Sequence, residues 1–136
     1  MDFISKSPKQ TEALAKKFLN KNPEFRVIGL IGDLGSGKTA FVKGIAKALE
    51  IKRNITSPTF VIEKIYPYNN QKLVHIDAYR LSSNQDLEAI GFDELTNDPK
   101  NIIFIEWPER VFNEIPKNIK VISFKYIDEN SRKISF

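Results

Sequence analysis

The sequence predicts a single α/β domain with parallel strands at its centre and antiparallel hairpins beside them, on three observations. Residues 25–49 join an apolar, strand-like run to a helix-patterned run through a glycine-rich turn. Two further apolar runs, Lys72–Asp77 and Asn101–Glu106, each end in a carboxylate, at the edge where open sheets bind ligands. Two pairs of β-forming runs are separated by short polar turns at 68–71 and 128–131. A chain of 136 residues suits one such domain, residues 1–136, and leaves any substrate or partner to be met by loops of the same sheet.

The central unit carries the chemistry. Val27 to Ile31 reads as a buried strand, and Phe41, Ile45, Ala48 and Leu49 recur at helical spacing. Between them stands GDLGSGKT, Gly32 to Thr39, which fits a glycine, four residues, then Gly-Lys-Thr in the strand-turn-helix setting that a phosphate-binding loop requires. Glycines at 32, 35 and 37 allow successive backbone N–H groups to point at phosphate oxygens, and the following helix adds its positive dipole end. Lys38 is placed to reach β- and γ-phosphates, and the Thr39 hydroxyl to ligate magnesium. A P-loop NTPase-like domain is therefore expected, with Asp33, Leu34, Gly35, Ser36, Gly37, Lys38, Thr39 and Ala40 as its nucleotide-binding stretch and Mg2+ accompanying the nucleotide, whose base the motif leaves open.

From the N-terminus, Ser7-Pro8-Lys9-Gln10 predicts a helix start, with a Ser cap and a Gln that reaches back. Leu14, Ala15, Phe18 and Leu19 then form its apolar stripe. After the phosphate-loop helix, Ser57-Pro58 forces extended backbone, and Phe60–Tyr66 and Lys72–Asp77 make a hairpin. Thr56, Ser57 and Thr59 have two readings, a turn device or the mobile γ-phosphate sensor that follows the first βα unit in many nucleotide hydrolases. His75 lies two residues before Asp77, on the same strand face, and reads as structural because no nucleophile or second ligand accompanies it. Ser83 to Gly91 has a cap and a glycine stop, so a short helix is expected. Asn101–Glu106 repeats the strand-then-carboxylate design; Glu106 is the first candidate for holding magnesium and Asp77 the second. Pro108 starts a brief helix, and Lys120–Tyr126 and Arg132–Phe136 close the chain as strands.

Composition narrows the classes. Cysteine is absent, which excludes disulfides and thiol chemistry. No apolar stretch approaches a membrane span, and MDFISKSPKQ lacks a signal peptide's apolar region, so a cytoplasmic protein without a membrane role is expected. The net charge of +4 permits contact with nucleic acid or an acidic protein but is dispersed, as on a solvated surface.

GDLGSGKT, SPTF at 57–60, HIDAYR at 75–80 and IEWPER at 105–110 occur in the order and approximate spacing of the TsaE family, also called YjeE, which the chain resembles over nearly its whole length. The resemblance implies a mixed sheet with helices on both faces. It also implies a small ATPase, with ATP and Mg2+ as cofactors, needed for threonylcarbamoyladenosine at position 37 of tRNA and acting with TsaD-like and TsaB-like proteins; tRNA is reached indirectly, with direct contact left open. By motif match it assigns magnesium to Thr39 and Glu106, places Asp77 near metal and attacking water, and makes Thr59 the sensor residue. It brings Thr11 of the first helix to the adenine, and Glu109 and Arg132 close to the nucleotide.

A small-molecule kinase using the same loop, or a nucleotide-dependent switch, are the competing expectations. A kinase of this type usually carries an arginine-bearing lid, whereas Ser82–Lys100 is short, acidic and without arginine.

Overall fold

The computed structural model describes residues 1–56 and 62–136. The Ser57-Pro58 break, Thr59 and the expected strand start at Phe60 lie outside the described residues. In chain order the elements are β1 Asp2–Ser5, α1 Pro8–Lys21, β2 Val27–Ile31, α2 Lys38–Ala48, β3 Glu63–Tyr68 and β4 Gln71–Asp77. They continue with α3 Asn84–Ala89, α4 Phe92–Asn97, β5 Asn101–Glu106, a 3-10 turn at Pro108–Arg110, β6 Ile119–Tyr126 and β7 Arg132–Ser135. The strands form one mixed sheet in the order β1-β7-β6-β2-β5-β4-β3. Its centre, β6-β2-β5-β4, is parallel, and β1/β7, β7/β6 and β4/β3 are antiparallel. The parallel centre brings the ends of β2, β4, β5 and β6 to one edge, where the loops that carry chemistry begin.

The local rules explain most of these elements. Ser7 Oγ accepts from Gln10 N at 3.1 Å and caps α1, while Gln10 Oε1 reaches back to Lys6 N at 2.7 Å. The β3–β4 turn is the pair Asn69-Asn70, both at positive φ (44° and 61°), which is the geometry that two-residue hairpins favour. Ser83 caps α3 by accepting from Asp86 N at 3.3 Å. Gly91 follows α3 and then serves as N-cap of α4, a helix the sequence reading did not anticipate. Nor did it anticipate β1, a four-residue edge strand that pairs with β7.

Alternation along the central strands divides the core in two. On one face Ile28, Leu30, Phe104 and Ile122 pack with Phe18 of α1 and Phe41 and Ile45 of α2. On the other, Val74, Ile76, Ile103 and Ile105 pack with Leu87 of α3 and Phe92 of α4. Helices therefore cover both faces. β5 is buried along its whole length, as a parallel strand covered on both sides must be.

α1 and α2 meet through Gly44. A Cβ there would fall 2.6 Å from Glu12 Cα and carbonyl oxygen and 2.8 Å from Ala15 Cβ, so backbone would have to move. In an open helix, replacing glycine by alanine gains roughly 0.5–1 kcal/mol. Overpacking typically costs about 1–3 kcal/mol, and here the obstacle is backbone rather than a flexible side-chain tip. Gly44→Ala is therefore expected to lower unfolding free energy by about 1–2 kcal/mol in a chemical denaturation series; a more stable variant would show that the helices are not in contact there.

Candidate functional site

β2 ends at Ile31 and the loop turns at once against β6. A Cβ on Gly32 would sit 2.6 Å from Ser36 Oγ and 2.7 Å from Phe124 O, so only glycine lets the loop lie this close to the sheet. Gly37 stands at φ 104°, which only glycine adopts readily, and is the N-cap of α2 with no side-chain cap bond. The first N–H groups of this eleven-residue helix are thus left for an anion. Ser36 Oγ is buried without a hydrogen-bond partner among the described residues, a second polar group that a ligand would satisfy.

Lys38 opens α2 and turns inward, 5% exposed. Its Nζ donates to the Gly32 carbonyl and lies 4.1 Å from the centroid of the Trp107 ring. Burial pushes this ammonium below the ordinary lysine pKa, against the opposing pull of Glu106, Asp77, Glu109 and Asp33. Trp107 is itself held in the left-handed region at φ 60°, a rare state for a bulky residue. Tyr79 packs edge-on to it at 5.1 Å, and Arg110 stacks 4.6 Å over Tyr79.

The carboxylates come from the neighbouring strands. β4 and β5 are in parallel register with Asp77 opposite Glu106, both nearly buried at 7% and 4% exposure. Asp77 Oδ1 accepts from Tyr79 N at 2.9 Å, and Glu106 Oε2 is 2.7 Å from His75 Nε2. His75, expected to be structural, is thus bonded to the leading candidate carboxylate. Two like charges held side by side in a low-dielectric edge repel unless cations lie between them. Among the described residues no group of three or more His, Cys, Asp or Glu forms a closed metal cage. Magnesium bound to phosphates needs only one or two carboxylates, so this donor set fits that ion.

Loop, helix start and carboxylates line one cleft of about 480 Å3. Of the residues expected at a nucleotide, Leu34, Gly35, Ser36, Gly37, Lys38, Thr39 and Ala40 line it, as do Thr11, Arg132, Asp77 and Glu106. Asp33 and Glu109 are not among its lining residues, although both stand near enough for their charge to act on Lys38. Thr59 lies outside the described residues. Arg132 has a task of its own: Nε donates to Gly35 O at 2.9 Å, and a terminal nitrogen donates to Asp128 O at 2.6 Å. The strand-β7 arginine therefore holds the tip of the loop. Thr11 Oγ1 is 2.7 Å from Ser5 Oγ, whose own hydrogen goes to Ser7 O at 2.9 Å. The hydrogen between the two hydroxyls must then come from Thr11, which leaves Thr11 as an acceptor toward the cleft. Ser5, Ser7, Pro8, Trp107, Glu129 and Asn130 also line the cleft and are not among the nucleotide-site residues the sequence points to. Their only signal is proximity in the chain, the first three to Thr11 and the others to Glu106 and Arg132.

Because burial depresses the Lys38 pKa, the charged lysine opposes folding of the ligand-free protein. Lys38→Met keeps the stem and removes the charge, so it is expected to raise thermal stability at neutral pH while weakening anion binding. The sign with pH follows. The penalty is fully present below the folded-state pKa and vanishes above the unfolded value near 10.5, so the stability gap between variant and wild type should narrow as pH rises toward that value. Melting temperatures of both proteins across alkaline pH check this; a variant less stable at neutral pH would contradict it.

Residues 5–134 match the family described as "Threonylcarbamoyl adenosine biosynthesis protein TsaE". The chain is 40% identical over 123 residues to the tRNA threonylcarbamoyladenosine biosynthesis protein TsaE of Borreliella burgdorferi, covering 90% of this chain and 89% of that one. It is 36% identical to the protein of the same name in Treponema pallidum, covering 99% and 98% respectively. Among solved structures, crystalline YdiB of Bacillus subtilis superposes with a TM-score of 0.73 at 29% identity, covering 98% of this chain and 82% of that one. On the family match, the relatives and the shared P-loop NTPase-like fold, this chain belongs to the TsaE family of tRNA threonylcarbamoyladenosine biosynthesis.

Proposed function

We propose that this chain is a magnesium-dependent ATPase that serves tRNA threonylcarbamoyladenosine biosynthesis at position 37 together with TsaD-like and TsaB-like proteins. The observation that carries the reading is the buried Lys38 ammonium at the head of α2, facing Asp77 and Glu106 across one cleft. A cation and two carboxylates in that order suit a substrate that is itself polyanionic and brings a divalent ion with it.

Each residue then has a role. The N–H groups of the loop and of the first turn of α2 bind phosphate oxygens, and Lys38 exchanges its Gly32 and Trp107 contacts for phosphate charge. Thr39 and Glu106 would hold Mg2+, which supplies neutralisation of the charge that builds on the phosphates. Asp77 would orient the water whose oxygen attacks the γ-phosphorus; the bond to the β–γ bridging oxygen breaks, giving ADP and inorganic phosphate. At the far end, Thr11 as an acceptor matches the exocyclic amine of adenine and would face an oxygen if the base were guanine.

Phosphoryl transfer leans on a cation close to the leaving and transferred groups. Arg110 is stacked on Tyr79 and Arg132 is bonded to Gly35 O, so both are engaged with the chain's own groups. A cation supplied by the TsaB–TsaD partner is the simplest completion, and tRNA is then reached through that partner.

Steady-state phosphate release and product analysis test the proposal. The isolated protein is expected to release phosphate slowly, and mixing with the partner complex to raise the rate by up to about 10³-fold, within the range a supplied arginine provides. Glu106→Gln should retain ATP binding yet lose roughly 10²–10³ in rate, the loss typical of removing one charge-stabilising group. A phosphorylated metabolite in place of free phosphate would indicate a kinase, and binding without any turnover a switch.

A further inference from the structure

His75 is the chain's single histidine, fully buried on β4, and its register partner on β5 is Phe104. Its nearest same-face neighbour toward the strand start, Leu73, belongs to the apolar core under α1 and α2. Nε2 is 2.7 Å from Glu106 Oε2, whereas Nδ1 is buried with no hydrogen-bond partner among the described residues. An apolar side chain would fill this position and leave no polar atom unsatisfied, so packing alone favours leucine or phenylalanine over histidine. What histidine adds is the bond to Glu106. The tautomer follows from hydrogen-bond counting: a proton on Nε2 makes that bond to an ionised carboxylate, and leaves Nδ1 as a bare acceptor rather than an orphaned donor.

We propose that His75 is a positioning residue that fixes Glu106 for divalent-cation binding: its Nε2–H holds Oε2 and leaves the second carboxylate oxygen for the cation. The inference rests on the reading of Glu106 as the cation's carboxylate. Without the bond, Glu106 is a buried carboxylate in register with Asp77, repelled by it and drawn by the neighbouring Lys38 ammonium. Rotation toward Lys38 would spend the two opposite charges on each other. The histidine bond therefore keeps the cation of the loop and the anion of the strand separately available to phosphate and metal.

The test is calorimetric titration of ATP into the full chain at a series of Mg2+ concentrations and in EDTA. His75→Leu is expected to raise the half-saturating Mg2+ concentration about 10-fold, the lower end for losing a partner that orients a metal ligand, and to leave affinity in EDTA within about twofold. His75→Gln carries an amide N–H in place of Nε2–H and should stay within about threefold of wild type. In a Glu106→Gln background, His75→Leu should add nothing. If Glu106→Gln alters the Mg2+ dependence and His75→Leu does not, the positioning role is overturned. If Glu106→Gln leaves it unaltered, the cation reading of Glu106 falls first and the inference with it. Should His75→Leu fail to fold, a proton–nitrogen correlation spectrum of the wild-type imidazole decides, because a single histidine needs no assignment: a proton on Nε2 is expected, and an Nε2 without one overturns the proposal.

Discussion

Everything at the functional edge depends on one buried positive charge. Lys38 lies beneath the loop that it follows, at the start of α2, and its ammonium is desolvated there against the Gly32 carbonyl and the Trp107 ring. Burial of a lone cation is costly, and the carboxylates of Glu106, Asp77, Glu109 and Asp33 offset that cost in part. Asp77 and Glu106 repel one another for the same reason that they attract Lys38. On the proposed reading, a polyanion with its divalent cation would add charge of both signs, anionic oxygens for Lys38 and a cation for the carboxylates.

The sheet makes that balance possible. Parallel pairing of β2 with β5 and of β5 with β4 brings the loop after β2 and the carboxylates ending β4 and β5 to one edge in fixed register. Alternation then places Glu106 on the face covered by α1 and α2, behind Ile102 and Phe104. The helices do more than bury that face. α1 carries Thr11 into the cleft only because Gly44 lets α2 approach it closely, and β7 carries Arg132 to the loop tip.

Much of this was legible in the sequence because it is local. The strand, glycine turn and helix at 25–49 declare themselves by period and by glycine spacing, and Glu106 and Asp77 by their place at the ends of apolar runs. The lost elements are those whose signal is not local. β1 has four residues of ordinary composition and exists because β7 offers an edge. α4 was hidden by Gly91, which looks like a stop and is also a start. The His75–Glu106 bond joins residues 31 apart through strand register, which no spacing rule encodes. Trp107 gives no hint in sequence of its left-handed backbone, which the strand end and the turn at Pro108 impose together. Asp33 and Glu109, expected at the nucleotide, act on Lys38 by charge from outside the cleft lining.

On the proposed function, the charge arrangement around Lys38 and Glu106 is what the modification pathway uses. The most direct measurement is the threonylcarbamoyladenosine content of tRNA, by mass spectrometry of nucleosides, in cells depleted of their own TsaE-family protein and supplied with this chain. Wild-type chain should restore the modified nucleoside, while folded Lys38→Ala and Glu106→Gln chains at equal abundance should leave it near the depleted level. Full restoration by both variants would show that the pathway does not depend on these charges.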